Sequence, residues 1–185
     1  KPVINGALDE AGIQKLKAQI KSRYGGFLQH ALNDDLYYRD EKGICTPRNV
    51  FNQAGDMGLF RMPLSPELGG DGLSRIEWGV VLEQLGAISR DCGFLPILGM
   101  TVRFAETVFE TNNPHLIERY GVPMANGRRL ATMAFYEGCD PFHFVSEVRR
   151  EGDRWILNGE KLLITGAAIC DTFILFIREK ESNDL

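Results

Sequence analysis

The hydrophobic period of this chain changes once, and that change limits what it can fold into. Up to the segment VPMANGRR (residues 122–129) apolar residues recur at helical spacing; beyond it they fall in short strand-like runs. Ile13, Leu16, Ile20, Phe27 and Ala31 mark a first helix from an acidic start at Asp9-Glu10, with a break or kink expected at Gly25-Gly26. Thr46 before Pro47 reads as an N-cap with proline at the first helical position, and Val50, Phe51 and Ala54 face inward from a short helix ending near Gly55 or Gly58. The segment 63–72, rich in Pro and Gly, reads as a loop. Ser74 with Glu77 three residues on is a capping box, opening a helix whose buried stripe is Val81, Leu82, Leu85 and Ile88. A further helix over 94–111 is apolar on most faces at its start, which places it centrally in a bundle. Asn113-Pro114 then opens a last short helix that stops at Gly121.

After residue 129 strands are expected over 130–136, 144–149, 154–157, 161–165 and 172–177, with turns at Glu151-Gly152-Asp153 and Asn158-Gly159. Helices first and strands second give an α+β class. An all-α bundle over 1–126 precedes an antiparallel β domain over 127–185. Five strands stopping at 185 leave an open sheet edge, so more chain or another subunit is expected to complete the sheet.

The totals narrow the function classes. With 185 residues, 44% of them hydrophobic, the chain can bury a substantial core, and a net charge of -4 argues against nucleic acid as a partner. Cys45, Cys92, Cys139 and Cys170 are scattered without a C-x-x-C pair, as reduced thiols are. His30, His115 and His143 form no ligand pattern, so no metal is expected. No signal peptide is apparent, and the most apolar segment, 93–100, is too short to span a bilayer. A cytoplasmic protein is the default expectation, an organellar one with its transit peptide removed the alternative.

Three strings carry a resemblance, in order and at the right spacing. They are GDMGLFRMPLSPELGGDGLSRIEWGVVLEQLG, HLIERYGVPMANGRRLATMAFYE and WILNGEKLLITGAAICDTFILF. Together they resemble the first half of an acyl-CoA dehydrogenase, where "GLxGxxxPxExGGxGxS" precedes a long helix and "W-x-L-N-G-x-K-x-W-I-T-N" lies in a middle β domain. The resemblance implies FAD as cofactor and α,β-dehydrogenation of an acyl thioester, on CoA or on a carrier protein. A glutamate base takes the α-proton and the flavin N5 accepts the β-hydride. In the family that base comes from a C-terminal helical domain that this chain does not contain, so no catalytic residue is assigned here. An oligomer, of like chains or with a related chain, is also implied.

Carried over by position, Thr165 matches the threonine that meets the flavin near N5, with Ile164 before it, and Leu163 falls where many members place a tryptophan. Met133, Phe135 and Tyr136 fall on the strand against the pyrimidine side, Tyr136 at a threonine position. The family then continues with a glycine-serine loop for the pyrophosphate and the substrate side. Here the text is Tyr136-Glu137-Gly138-Cys139-Asp140-Pro141, shorter and without Gly-Ser, leaving Asp140 as the substrate-side candidate. Structural roles compete with these: Thr165 as a strand former, Phe135 and Leu163 as barrel core, Glu137 and Asp140 as caps for backbone amides, His143 as a surface residue. The departures from the family pattern leave a second functional reading open, a non-catalytic or half-catalytic subunit or scaffold with a degenerate FAD site.

Overall fold

The computed structural model describes residues 9–138 and 143–180. Helix α1 (Glu10–Leu28) starts where the Asp9 carboxylate accepts the Gly12 N–H at 2.8 Å. It runs without a break through Gly25-Gly26, contrary to the sequence expectation. Tyr24 and Leu28 are fully buried on either side of the glycine pair, and their burial outweighs the ~1 kcal/mol that each glycine costs a helix. A π-helical turn, Gln29–Asn33, carries α1 on before α2 (Leu36–Lys42), which ends at Gly43 in the left-handed region (φ 62°).

Helix α3 (Arg48–Asp56) begins after Pro47, not with Thr46 as its cap. The Thr46 hydroxyl donates instead to the buried Asp91 carboxylate at 3.0 Å, because a buried anion leaves an acceptor that must be met. Helix α4 (Arg75–Ile88) has the expected capping box: Ser74 Oγ accepts the Glu77 N–H and Glu77 Oε2 accepts the Ser74 N–H at 2.7 Å. Val81 and Leu85 are buried, while Leu82 and Ile88 pack against them at the edge of the core. Helix α5 (Phe94–Glu110) is central as expected, burying Phe94, Ile97, Leu98, Val102 and Ala105.

Asn113 caps α6 (Pro114–Leu116), and a second π-helical turn, Ile117–Gly121, leads into α7 (Val122–Ala125). The helical run therefore passes Gly121, and half of the expected loop is helix. Pro123 directly follows the π-helical turn, where the Val122 N–H bonds to the Ile117 carbonyl five residues back and the regular i→i−4 ladder is already interrupted.

The strands are β1 (Ala131–Ala134), β2 (Glu147–Glu151), β3 (Arg154–Asn158), β4 (Thr172–Leu175) and β5 (Arg178–Glu179). β2 and β3 form the antiparallel hairpin, turning at Gly152 with φ 60°. β1 pairs β4 in parallel, and β2 pairs β5 in parallel. The class is α+β with the helices first, and among the described strands the hairpin pair is antiparallel and the other two pairs are parallel.

One strand expectation is displaced and one fails. The strand expected over 144–149 starts three residues later, at Glu147, and 161–165 form no strand. Asn158-Gly159 ends β3 without making a hairpin, since Gly159 lies against Ser146 so closely that a Cβ would stand 2.1 Å from its Oγ. Leu163 then takes the left-handed region (φ 51°), which no strand accommodates.

The strands are tied to the bundle at defined points. Thr101 of α5 accepts the Ala131 N–H at 3.0 Å, and Arg48 of α3 donates to the carbonyls of Ile169 and Arg128 and to the Asp171 carboxylate. Among the described residues, no helix is long and apolar enough to cross a membrane.

Candidate functional site

Two hydrogen bonds assemble the site. The Leu162 N–H donates to the Tyr136 carbonyl at 2.8 Å, and the Thr132 hydroxyl donates to the Thr165 carbonyl at 2.7 Å. The segment 162–165 therefore runs alongside 132–136 in the opposite sense. Tyr136 and Thr165 are exposed there, Ile164 is half-buried, and Leu163 has 87% of its surface open. Met133 packs with Ile174 against the cluster around Phe104, Met124 and Ala131. Phe135 meets Phe144 and Phe176 edge-on, with centroids 5.0 and 5.2 Å away. Asp140 lies outside the described residues.

Sequence reasoning did not single out the residues that hold this arrangement. Gly166 follows Thr165 with φ 72°, and a Cβ there would stand 2.0 Å from Ile97 Cδ1, so only glycine lets the 166–170 turn close onto α5. Lys161 is nearly buried. Its Nζ donates to Glu137 Oε1 at 2.5 Å, to the Phe135 carbonyl at 3.2 Å and to the Phe176 carbonyl, and lies 4.3 Å from the Phe144 ring centroid. It thus joins the ends of β1 and β4 to the segment carrying Leu163 and Thr165. The lysine of the string N-G-x-K was the available signal.

Glu137 caps backbone, as its structural reading holds. Its carboxylate accepts the N–H groups of Val145 (2.5 Å) and Ser146 (3.2 Å) and so holds the start of the segment leading into β2 against the end of β1. Burial opposes its charge, but hydrogen bonds from Lys161, Ser146 and the Val145 amide outweigh this and lower its pKa from 4.5 to about 2. A depressed carboxylate pKa stabilises the fold fully above pH 4.5, and the contribution is lost as the pH falls toward 2. The effect is at most on the order of 3 kcal/mol. Urea unfolding between pH 7 and pH 2 is expected to show this decline, and Glu137→Gln to flatten it in that window. An unchanged slope in the variant would locate the titration elsewhere.

Among the described residues no group of His, Cys, Asp and Glu is placed to share a metal ion. The thiols of Cys45, Cys92 and Cys170 are free.

The family model for the N-terminal domain of acyl-CoA dehydrogenases matches residues 15–128. The short-chain-specific acyl-CoA dehydrogenase of Clostridium acetobutylicum is 26% identical over 133 residues, covering 70% of this chain and 35% of that protein. The L-prolyl-[peptidyl-carrier protein] dehydrogenase of a Serratia strain is 26% identical over 156 residues, covering 82% of this chain and 40% of that protein. The solved FAD complex of PigA has the same fold, with a TM-score of 0.78 at 20% identity over 98% of this chain and 47% of that one. The chain thus spans 35% and 40% of the lengths of these two curated relatives. It belongs to the acyl-CoA dehydrogenase family, whose N-terminal domain it contains.

Proposed function

We propose that this chain supplies the N-terminal and middle-domain walls of an FAD site in a dehydrogenase of acyl thioesters. The helical unit 1–126 supports a β unit, 127–185, that faces the flavin. One observation carries the reading: Thr165 has its carbonyl taken by Thr132, while its hydroxyl and backbone N–H have no hydrogen-bond partner among the described residues. Two free donors on an exposed edge, flanked by Tyr136, Leu163 and Ile164, fit the polar rim and flat apolar face of an isoalloxazine.

In this reading FAD, when bound, accepts a hydride from the acyl chain. Thr165 donates to the flavin edge, Tyr136, Leu163 and Ile164 cover the ring, Met133 and Phe135 support the wall from behind, and Asp140 lies toward the substrate. Lys161 and Gly166 fix Thr165 in place. The similarity to both an acyl-CoA enzyme and a carrier-protein enzyme leaves CoA and carrier-bound thioesters as the two substrate classes.

The purified chain is expected to take up FAD, seen as a flavin absorbance band that stays with the protein after desalting. Thr165→Val, which removes the hydroxyl donor at nearly constant shape, should weaken FAD binding about tenfold. A chain that neither retains nor takes up FAD sinks the reading.

The Gly138–Pro141 stretch, without the family's Gly-Ser, favours one second reading: a subunit whose flavin site is completed by a related chain. A stoichiometric unlike partner on co-purification supports it, and a homo-oligomer with one flavin per chain rejects it.

A further inference from the structure

A groove of about 250 Å³ opens between α1, the 62–73 loop and α4, and none of its lining residues comes from the strands. Leu16, Ile20, Met62 and Leu73 give it an apolar floor. Lys15, Arg23, Asp71 and Glu77 supply the charges that line it. Glu77 is buried and already holds the Ser74 N–H, so its carboxylate is committed to the start of α4.

Cationic side chains converge at the Arg23 end. Arg23 Nη2 donates to the Met57 carbonyl at 2.6 Å, and its Nη1 stands 4.0 Å from Asp71 across a pair that is half exposed on both sides. Beside it lies Arg61. The Nη2 atoms of Arg23 and Arg61 reach the same face of Gly58, 3.3 and 3.7 Å from the point where a Cβ would be.

The Arg61 side chain makes no hydrogen bond or ion pair among the described residues, and its Nε is buried without an acceptor. A buried donor with no acceptor is uncommon in folded proteins, and two neighbouring guanidinium groups repel unless an anion lies between them. Asp71 and Glu77 balance Lys15 and Arg23 in number, so Arg61 beside them leaves one positive charge in excess. A local positive excess in a chain of net charge -4 is selective for an anion.

We propose that this groove binds an amphiphilic carboxylate, its anionic head across Arg23 and Arg61 and its alkyl chain along Leu16, Ile20, Met62 and Leu73. The planar fork of arginine suits a carboxylate, and the apolar floor adds affinity with each buried methylene. This site is separate from the flavin face and does not depend on it.

Calorimetric titration of the chain with decanoate, acetate and decanol separates the two halves of the argument. Decanoate should bind saturably and at least tenfold more tightly than either acetate, which lacks the chain, or decanol, which lacks the charge. Arg61→Gln should weaken decanoate binding about tenfold or more without lowering the melting temperature, because the Arg61 side chain has no hydrogen bond or ion pair to lose among the described residues. Amide shifts on adding decanoate should fall on Leu16, Ile20 and Leu73. The absence of saturable binding, equal affinity for decanol, equal affinity in Arg61→Gln, or shifts confined to residues 132–136 and 162–165 would each overturn the proposal.

Discussion

Asp91→Ala is expected to remove about 3–5 kcal/mol of stability, one of the largest losses available to a single substitution here. Asp91 is 4% exposed and its carboxylate serves four donors. Oδ2 accepts from Arg39 at 2.8 Å and from the Thr46 hydroxyl at 3.0 Å; Oδ1 accepts the N–H groups of Gly93 at 2.7 Å and Phe94 at 3.2 Å, at the start of α5. Burial works against the Arg39 charge, but hydrogen bonds to Asp35 and Asp91 more than offset it and raise its pKa. Removing Asp91 leaves a buried guanidinium with one of its two carboxylates gone and strips the amides that start α5. The penalty is that of a stranded charge, not of a lost surface pair. For a chain of this length the melting temperature should fall by about 10 °C or more. Asp91→Asn, which keeps the shape and one acceptor oxygen without the charge, should lose less. Equal losses in the two variants would show that the charge alone sets the cost, and an Asn variant as stable as the parent would show that the charge contributes nothing.

Gly55→Ala is the second large expected effect, at about 3 kcal/mol or more. Its backbone is helical and accepts alanine, so propensity alone predicts a gain. The obstacle lies across the interface: a Cβ on Gly55 would stand 2.1 Å from the Asn126 carbonyl oxygen and 3.0 Å from Gly127 Cα. These are backbone atoms and cannot rotate away, so α3 and the 126–127 turn must separate. Gly127 meets the same contact from the other side at φ 65°, with a Cβ 2.6 Å from the Phe51 carbonyl oxygen. Chemical denaturation of Gly55→Ala beside an exposed control, Gly79→Ala, whose Cβ would meet no neighbour within 4 Å, tests this directly. Equal stability of the two variants would contradict the close approach.

Features decided by near neighbours were legible from the residues. The Ser74–Glu77 capping box, the Asn113 cap, the α4 stripe and the turn at Gly152 each depend on contacts within a few positions. What failed depended on partners far along the chain. Gly25-Gly26 stays helical because Tyr24 and Leu28 reach a core built from other helices, and Thr46 abandons its cap for Asp91, 45 residues away. The segment 161–165 has strand-forming residues, yet Lys161 turns inward to carbonyls just after β1 and just after β4, and Gly166 packs on α5. For the site, family motifs supplied the segments, while the Thr132 hydrogen bond to the Thr165 carbonyl joins residues 33 apart and no local pattern announces it.

The π-helical turn after α1 has a consequence for how such chains change in length. Leu16, Ile20, Tyr24, Leu28 and Leu32 are buried at intervals of four, and in a 3.6-residue helix each interval rotates the side chain by about 40°. Left uncorrected, that rotation would carry the stripe around the helix and off the core. The wider turn at Gln29–Asn33 takes up part of it and keeps Leu32 facing inward. It does so by holding one residue more than an ordinary helical turn. Homologous chains can therefore differ by a one-residue insertion or deletion at this point while the helices on either side keep their seats, and a gap placed there in an alignment has a physical meaning.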